Sequence, residues 1–199
     1  MGSMRFVGRA AFVLCMILAP GSVRAGDPTT QLKATLDDFV KILSSTPVAQ
    51  LQATGLPESA LKLIFARFDF SEMTKRTLGS HWTAMEQGQQ KDFTTALTQR
   101  LLILYGRTVR SSGNDKVLFT SEVQDGKQAS VETKVISGPG EEVPIDYRLH
   151  DESGQWKVYD VVIDHVSLVS NFRAQFERVI AKSSVKELLK RLQDQNQQS

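Results

Sequence analysis

The sequence is poor in the residues on which much enzyme chemistry depends. Its 199 residues contain one cysteine and three histidines. The histidines, His81, His150 and His165, lie far apart and form neither an HxH nor an HExxH pattern. There is also no glycine-rich phosphate loop, no GxSxG elbow and no dinucleotide-binding fingerprint. Sites for a transition metal, a reactive thiol or a nucleotide therefore have little support.

The single cysteine, Cys15, lies within an apolar run of ten residues, Ala10–Ala19. Arg5 and Arg9 give the preceding segment a positive charge, a proline–glycine pair ends the run, and small residues follow at the positions before a cleavage site. This arrangement is typical of a secretory signal peptide, and the run is too short to span a bilayer. We therefore predict a signal peptide at residues 1–25 and export to the periplasm.

Removal of that segment changes the charge of the chain. Arg5, Arg9 and Arg24 lie in it, so the 24 basic residues fall to 21 against 22 acidic residues, and the formal net charge of +2 becomes −1. The predicted mature chain has no basic excess that would attract nucleic acid, and no cysteine for a disulfide. We expect a single domain at residues 26–199, a monomer without a cofactor, stabilised by an apolar core.

The first half of this domain has apolar residues at helical spacing. The pattern predicts helices at 30–43, 57–68 and 87–109, a short helix that ends near Gly79, and a proline- and glycine-rich break at 44–57. The second half alternates with a period of two and has hairpin-type turn residues between its segments. This alternation predicts four strands, at 116–123, 127–136, 142–150 and 155–163. Helical spacing then returns and predicts helices at 168–181 and 185–192, and a polar tail follows at 193–199.

Helices, then a four-strand meander, then helices again predict an α+β fold. We expect a twisted antiparallel sheet of four strands, wrapped on one face by the N- and C-terminal helices.

Asp164, His165 and Ser167 together carry the three side-chain types of a hydrolytic triad. In a triad, the histidine must contact the serine with one ring nitrogen and the carboxylate with the other. Adjacent aspartate and histidine side chains diverge in extended chain, so this geometry is awkward. We instead expect Asp164 and His165 to form a turn, and Ser167 to cap the following helix.

Three stretches together resemble one protein family: FDFSEMTKRTLGSHW at 68–82, QQKDFTTALTQRLLILYG at 89–106, and YRLHDESGQWKVYDVVIDHVSLVSNFRAQF at 147–176. In order and spacing they are similar to MlaC, the toluene-tolerance family of periplasmic phospholipid-binding proteins. The resemblance covers nearly the whole predicted mature chain. One departure lies in the third stretch, where the family usually has glycine at the position of His165, which suggests a backbone with positive φ there.

The resemblance implies a periplasmic phospholipid carrier that maintains outer-membrane lipid asymmetry. Its partners would be an outer-membrane lipoprotein complex and an inner-membrane ABC transporter with a substrate-binding ring, and its ligand a phospholipid. The implied fold is similar to that of nuclear transport factor 2, with a deep apolar pocket for acyl chains. A related branch of the family serves hopanoid lipids, so another lipid remains an alternative.

The inward-facing apolar residues are the candidates for lipid binding, with ordinary core packing as the alternative for each. They are Leu97, Leu101, Leu104 and Tyr105 on the long helix, Val143, Ile145, Tyr147 and Leu149 on the third strand, and Trp156, Val158, Val166, Leu168, Val169, Phe172 and Phe176 around the last strand and the helix after it. Tyr105 and Tyr147 combine an apolar body with a polar tip and are candidates for the pocket mouth. Four arginines could meet a phosphate or an acidic partner, with ordinary solvated charge as the alternative for each: Arg107, Arg110, Arg148 and Arg173.

Two other functions remain open from the sequence alone. The implied fold also hosts isomerases and dehydratases, which would need a buried acid–base pair, for example Asp160 with Tyr159 or His165. A periplasmic interaction module would have no small ligand, and its cavity would be filled by side chains.

Overall fold

A computed structural model describes residues 27–106, 116–136 and 140–198. The predicted signal peptide, Arg107 and Arg110 lie outside the described residues. The described helices, in chain order, are α1 (Pro28–Ser45), α2 (Val48–Thr54), α3 (Glu58–Arg67), α4 (Phe70–Leu78), α5 (Ser80–Thr83), α6 (Gln87–Gly106), α7 (Leu168–Ile180) and α8 (Val185–Gln197).

The strands form one antiparallel sheet in which chain order and spatial order coincide. They are β1 (Lys116–Asp125), β2 (Gln128–Ile136), β3 (Glu142–Glu152), β4 (Gln155–Ile163) and β5 (Val166–Ser167). The predicted α+β fold with a four-strand meander is confirmed. The sheet gains a fifth strand of two residues, because the chain turns back after β4 and pairs with the end of that strand.

Two predicted boundaries were wrong. The predicted break at 44–57 contains helix α2 (Val48–Thr54), which follows Pro47 and is capped by Gly55, a residue with φ of 75°. Proline before a helix and a left-handed glycine after it are helix boundary signals, so the same residues that suggested a break delimit a short helix.

Helix α8 continues to Gln197, through most of the predicted polar tail. No glycine or proline interrupts the segment, and the half-buried Asn196 lies on the same face of the helix as the buried Leu188 and Leu192. The Asn196 side-chain amide donates a hydrogen bond to the backbone oxygen of Ala96 on α6 (2.9 Å). A polar residue therefore anchors the end of this helix.

The helices pack over one face of the sheet, with α1 against α3, α4 against α7 and α6 against α8. Between them and the sheet lies a core whose fully buried large side chains include Phe93, Leu97, Leu149 and Trp156. Strand β1 forms an outer edge of the sheet, and its side chains are mostly exposed.

A β-bulge on β4 changes which of its residues face the helices. Arg148 pairs with Asp160 but the next residue, Leu149, pairs with Val158, so Tyr159 is the extra residue. An extra residue reverses the alternation of side chains along a strand. Consequently Trp156 and Val158 before the bulge, and Val161 and Ile163 after it, all lie opposite residues on the helix-covered face of β3.

Candidate functional site

The turn between β4 and β5 consists of Asp164 and His165, with φ of 47° and 65°. Two consecutive residues with positive φ form the kind of tight turn that connects antiparallel strands. The backbone N–H of Asp164 donates to the backbone oxygen of Pro144 (3.0 Å), which holds the turn against β3. The positive φ suggested by glycine at this position is therefore present at His165, whose side chain is exposed.

Ser167 caps α7, as predicted. Its side-chain oxygen accepts a hydrogen bond from the backbone N–H of Ser170 (3.0 Å), and its hydroxyl donates to the Asp160 carboxylate (2.7 Å). His165 is not the residue that contacts this hydroxyl.

Asp160 anchors the helix to the sheet. This carboxylate is only 2% exposed and also accepts hydrogen bonds from the backbone N–H of Val169 (3.1 Å) and from Arg148 Nη1 (3.1 Å). A buried carboxylate needs such donors, and a helix N-terminus supplies free N–H groups. These contacts give Asp160 a structural role and fix where α7 begins.

Immediately after this anchor, Leu168 forms part of the wall of an apolar cavity between the sheet and the helices. The cavity holds about 210 Å³, more than the roughly 150 Å³ of an engineered apolar cavity that stays dry and binds small hydrocarbons. It is lined by Thr35, Leu36, Phe39, Leu56, Leu63, Ile64, Phe68, Phe70, Met73, Leu101, Leu102, Tyr105, Gly106, Ile145, Tyr147, Val161, Ile163 and Leu168.

Within the described residues, the cavity lining contains no charged side chain, and its hydroxyl groups are those of Thr35, Tyr105 and Tyr147. Burial raises the pKa of both tyrosines above the ordinary value. The two phenols therefore stay protonated and uncharged at neutral pH. A surface of this kind favours an apolar ligand with few polar groups.

Five of the predicted lipid-binding residues line this cavity: Leu101, Tyr105, Ile145, Tyr147 and Leu168. Tyr105 is half-buried, whereas Tyr147 is 7% exposed and lies inside the cavity. Six others are buried elsewhere in the core, namely Leu97, Leu149, Trp156, Val158, Phe172 and Phe176. Val143 and Val169 are half-buried, Leu104 is 40% exposed and Val166 is 53% exposed. A lipid-binding role for these residues stays a prediction.

Lining residues from α1, α3 and α4 were not among the predicted ones. Phe39 and Leu36 belong to the apolar stripe of α1, and Phe68 and Phe70 flank the start of α4. Both patterns were visible as helical spacing and as the FDF motif, but neither indicates that these helices cross the open side of the sheet. Val161 and Ile163 were missed because the bulge at Tyr159 could not be read from the alternation.

The two described arginines that were candidates for a phosphate contact lie outside the cavity lining. Arg148 is paired with Asp160, and the Arg173 guanidinium lies against Gly79, where a Cβ atom would be 3.1 Å from Arg173 Nη2. Within residues 27–106, 116–136 and 140–198, no group of three histidine, aspartate or glutamate side chains is placed to hold a metal ion. No helix in those same ranges has the length and apolar character needed to cross a membrane.

Known proteins resemble this chain in both sequence and fold. A family model described as "MlaC protein" matches residues 33–194. The toluene tolerance protein ttg2D of Pseudomonas putida is 26% identical over 147 residues, which are 73% of this chain and 61% of that protein. The chain thus spans less than two thirds of that relative's length.

A solved structure is similar in fold. It is the phospholipid-binding protein from Ralstonia solanacearum, in complex with a phospholipid. It has 26% sequence identity and a TM-score of 0.77, and the match covers 86% of this chain and 98% of that one.

Proposed function

This chain belongs to the MlaC family, and from that premise we propose that it is a periplasmic phospholipid carrier. The observation that carries the proposal is the apolar cavity, whose wall is formed jointly by the sheet and by helices α1, α3, α4, α6 and α7. The phospholipid held by the Ralstonia solanacearum protein supports the same ligand class, since that protein shares the fold over 86% of this chain.

The physical basis of the binding is burial of acyl chains. Each buried CH₂ group contributes about 0.8 kcal/mol, so roughly a dozen of them contribute about 10 kcal/mol. No reactive group is needed to hold such a ligand. A charged head group is costly to bury without partners, and because the lining has no charged side chain among the described residues, we expect the head group to remain outside.

We further propose that the carrier moves lipid between an outer-membrane lipoprotein complex and an inner-membrane ABC transporter with its substrate-binding ring. A carrier of this kind must shield acyl chains from water while it crosses the periplasm. The apolar cavity between the sheet and the helices can supply that shield, and the family to which the chain belongs supports the assignment.

The ligand can be tested by native purification from a periplasmic extract, extraction with organic solvent and mass spectrometry of the lipids. We expect phospholipid in a fixed ratio to protein. If a hopanoid were extracted instead of a phospholipid, the protein would bind a different class of lipid from the one proposed. A folded protein without any lipid would contradict the proposal.

A pair of variants tests whether the lipid occupies this cavity. Ile145 lines it, whereas Leu118 on the edge strand β1 does not and is 47% exposed. Replacing Ile145 by tryptophan should fill the space and abolish lipid retention, and Leu118→Trp should leave it in place. If both folded variants retained lipid equally, the ligand would bind elsewhere.

A further inference from the structure

Two hydroxyl groups in the cavity lack a partner among the described residues. The Thr35 hydroxyl is satisfied, because it donates to the backbone oxygen of Gln31 (3.1 Å) and accepts from Arg67 Nε (2.9 Å). For the hydroxyls of Tyr105 and Tyr147, no hydrogen-bond partner occurs within the part of the chain that the structure describes. Tyr105 is half-buried, so water can still serve its hydroxyl, but Tyr147 is only 7% exposed.

The position of Tyr147 directs its hydroxyl into the cavity. It lies in the middle of β3, between Val131 on β2 and Val161 on β4. Side chains stand roughly perpendicular to a sheet, and both Ile145 and Tyr147 line the cavity. The phenol ring therefore extends away from the strand, and the hydroxyl at its tip is available to a ligand.

The hydroxyl of Tyr147 borders the cavity and is not sealed in the packed core, since the fully buried side-chain atoms without a partner in the described residues are Thr29 Oγ1, Trp156 Nε1 and Asn196 Oδ1. Tyrosine hydroxyls at buried positions usually find an acceptor. A water molecule needs two to four polar partners, whereas the other side-chain hydroxyls of the described lining belong to Thr35, which is already hydrogen-bonded, and to Tyr105. The cavity wall therefore offers the Tyr147 hydroxyl few partners, and a bound ligand can supply an acceptor.

The character of the cavity restricts that acceptor. Because the lining holds no cation in the described residues, a phosphate would enter without compensation for its lost hydration. A suitable acceptor is uncharged and attached directly to an apolar body. In a phospholipid, the carbonyl oxygens of the acyl esters meet both conditions.

We propose that Tyr147 donates a hydrogen bond to an acyl ester carbonyl of the bound lipid, and thereby selects ester-linked over ether-linked lipids. This inference rests on the proposed function. An ether-linked lipid of equal length has a CH₂ group in place of each ester carbonyl, so the carbonyl acceptor is lost and only the linking ether oxygen, at a different position, remains. Sites that hydrogen-bond a ligand discriminate against an analogue without that group, and a hydrogen bond of ordinary strength corresponds to a preference of roughly 3- to 10-fold.

The test is a competition between two lipids for the same protein. Delipidated protein is incubated with vesicles that contain equal amounts of diacyl and dialkyl phosphatidylglycerol with matched chain lengths. The protein is then re-isolated, and the ratio of the two bound lipids is measured by mass spectrometry. Head group and chain length cancel in this ratio, so it reports the ester group.

Two matched variants accompany the wild-type protein. Tyr147→Phe removes only the hydroxyl in question. Tyr159→Phe removes a hydroxyl from a tyrosine that is equally buried, at 8% exposure, but lies outside the cavity lining, beside His150 and under the Arg76 guanidinium. Thermal unfolding confirms that each variant is folded before its lipids are analysed.

We expect the wild type and Tyr159→Phe to prefer the diacyl lipid by roughly 3- to 10-fold, and Tyr147→Phe to bind both lipids about equally. Equal binding by the wild type, or an unchanged preference in Tyr147→Phe, would overturn the inference while leaving the carrier proposal intact. If neither lipid bound to the folded wild type, the carrier proposal itself would fail together with the inference.

Discussion

Replacing Asp160 by alanine should be among the most destabilising single changes in this protein. Its carboxylate is 2% exposed and accepts hydrogen bonds from the Ser167 hydroxyl, the Val169 N–H and Arg148. Removal leaves these donors without their acceptor. Each hydrogen-bond donor left unpaired at a buried site costs about 1–3 kcal/mol, so loss of the acceptor for the Ser167 hydroxyl and the Val169 N–H together should cost about 3–5 kcal/mol. That is a large part of the roughly 5–15 kcal/mol that a domain has in total.

Variants of the residues that bind Asp160 give stability losses with which that of Asp160→Ala can be compared. Ser167→Ala removes the helix cap and one donor and should cost about 1–2 kcal/mol. Arg148→Ala should cost less than about 1 kcal/mol, because its side chain is 47% exposed and the ion pair is screened by solvent. The double variant Asp160→Ala/Ser167→Ala should lose less stability than the sum of the two single variants, since both remove the same contact.

Urea and thermal unfolding, followed by circular dichroism, measure these differences. For a domain of this size, about 3–5 kcal/mol corresponds to a decrease in Tm of about 6–20 °C. A loss for Asp160→Ala no larger than that for Arg148→Ala would refute the anchoring role of the carboxylate. Lipid retention should fall with stability in this series, because Leu168, the first residue of α7, is part of the cavity wall.

Three further predictions concern backbone strain and ionisation. His165→Gly should stabilise the protein by about 0.5–1 kcal/mol. A residue with a side chain pays about 1–2 kcal/mol for left-handed backbone, and glycine removes this strain, but its greater freedom in the unfolded chain cancels part of the gain. A lower Tm in thermal unfolding would contradict this prediction. Gly79→Ala should destabilise the protein by about 1–3 kcal/mol, because Gly79 has φ of 56° and the added Cβ would lie 3.1 Å from Arg173. Urea unfolding of the double variant Gly79→Ala/Arg173→Ala separates backbone strain from the contact with Arg173. If the alanine cost nothing when Arg173 is absent, the backbone would not be strained. Burial raises the pKa of Tyr147, so the unfolded chain loses the phenol proton at a lower pH than the folded protein, and stability should fall as the pH rises above about 10. Urea unfolding at several pH values should show a smaller fall in Tyr147→Phe. An identical pH dependence in the two proteins would contradict the role of Tyr147.

The strands were predictable because alternation and turn residues are local properties. The predicted ends of β2, β3 and β4 lie within two residues of the observed ones, and Ser167 caps α7 as expected. The boundaries of α2 and α8 were harder to predict, because proline and glycine can delimit a helix as well as interrupt one, and a polar helix end depends on a tertiary contact such as that of Asn196 with α6.

The cavity was less predictable for two physical reasons. An apolar stripe that lines a cavity has the same periodicity as one that packs against other side chains, so Leu97 and Leu101 look alike in the sequence although only Leu101 borders the cavity. The bulge at Tyr159 adds one residue to β4 without any glycine or proline to mark it. Both features are determined by how distant segments meet.

The cavity wall joins parts of the chain that are remote in sequence, from Thr35 on α1 to Leu168 at the start of α7. A ligand in this space therefore completes the hydrophobic core and is thermodynamically linked to folding, since a molecule that binds only the native state stabilises it by mass action. Loaded protein should unfold at a higher temperature and exchange the amide protons of α1, α3 and the first turn of α7 more slowly. In the proposed carrier cycle, release of the lipid would leave a looser interior, and binding of the next lipid would restore its rigidity.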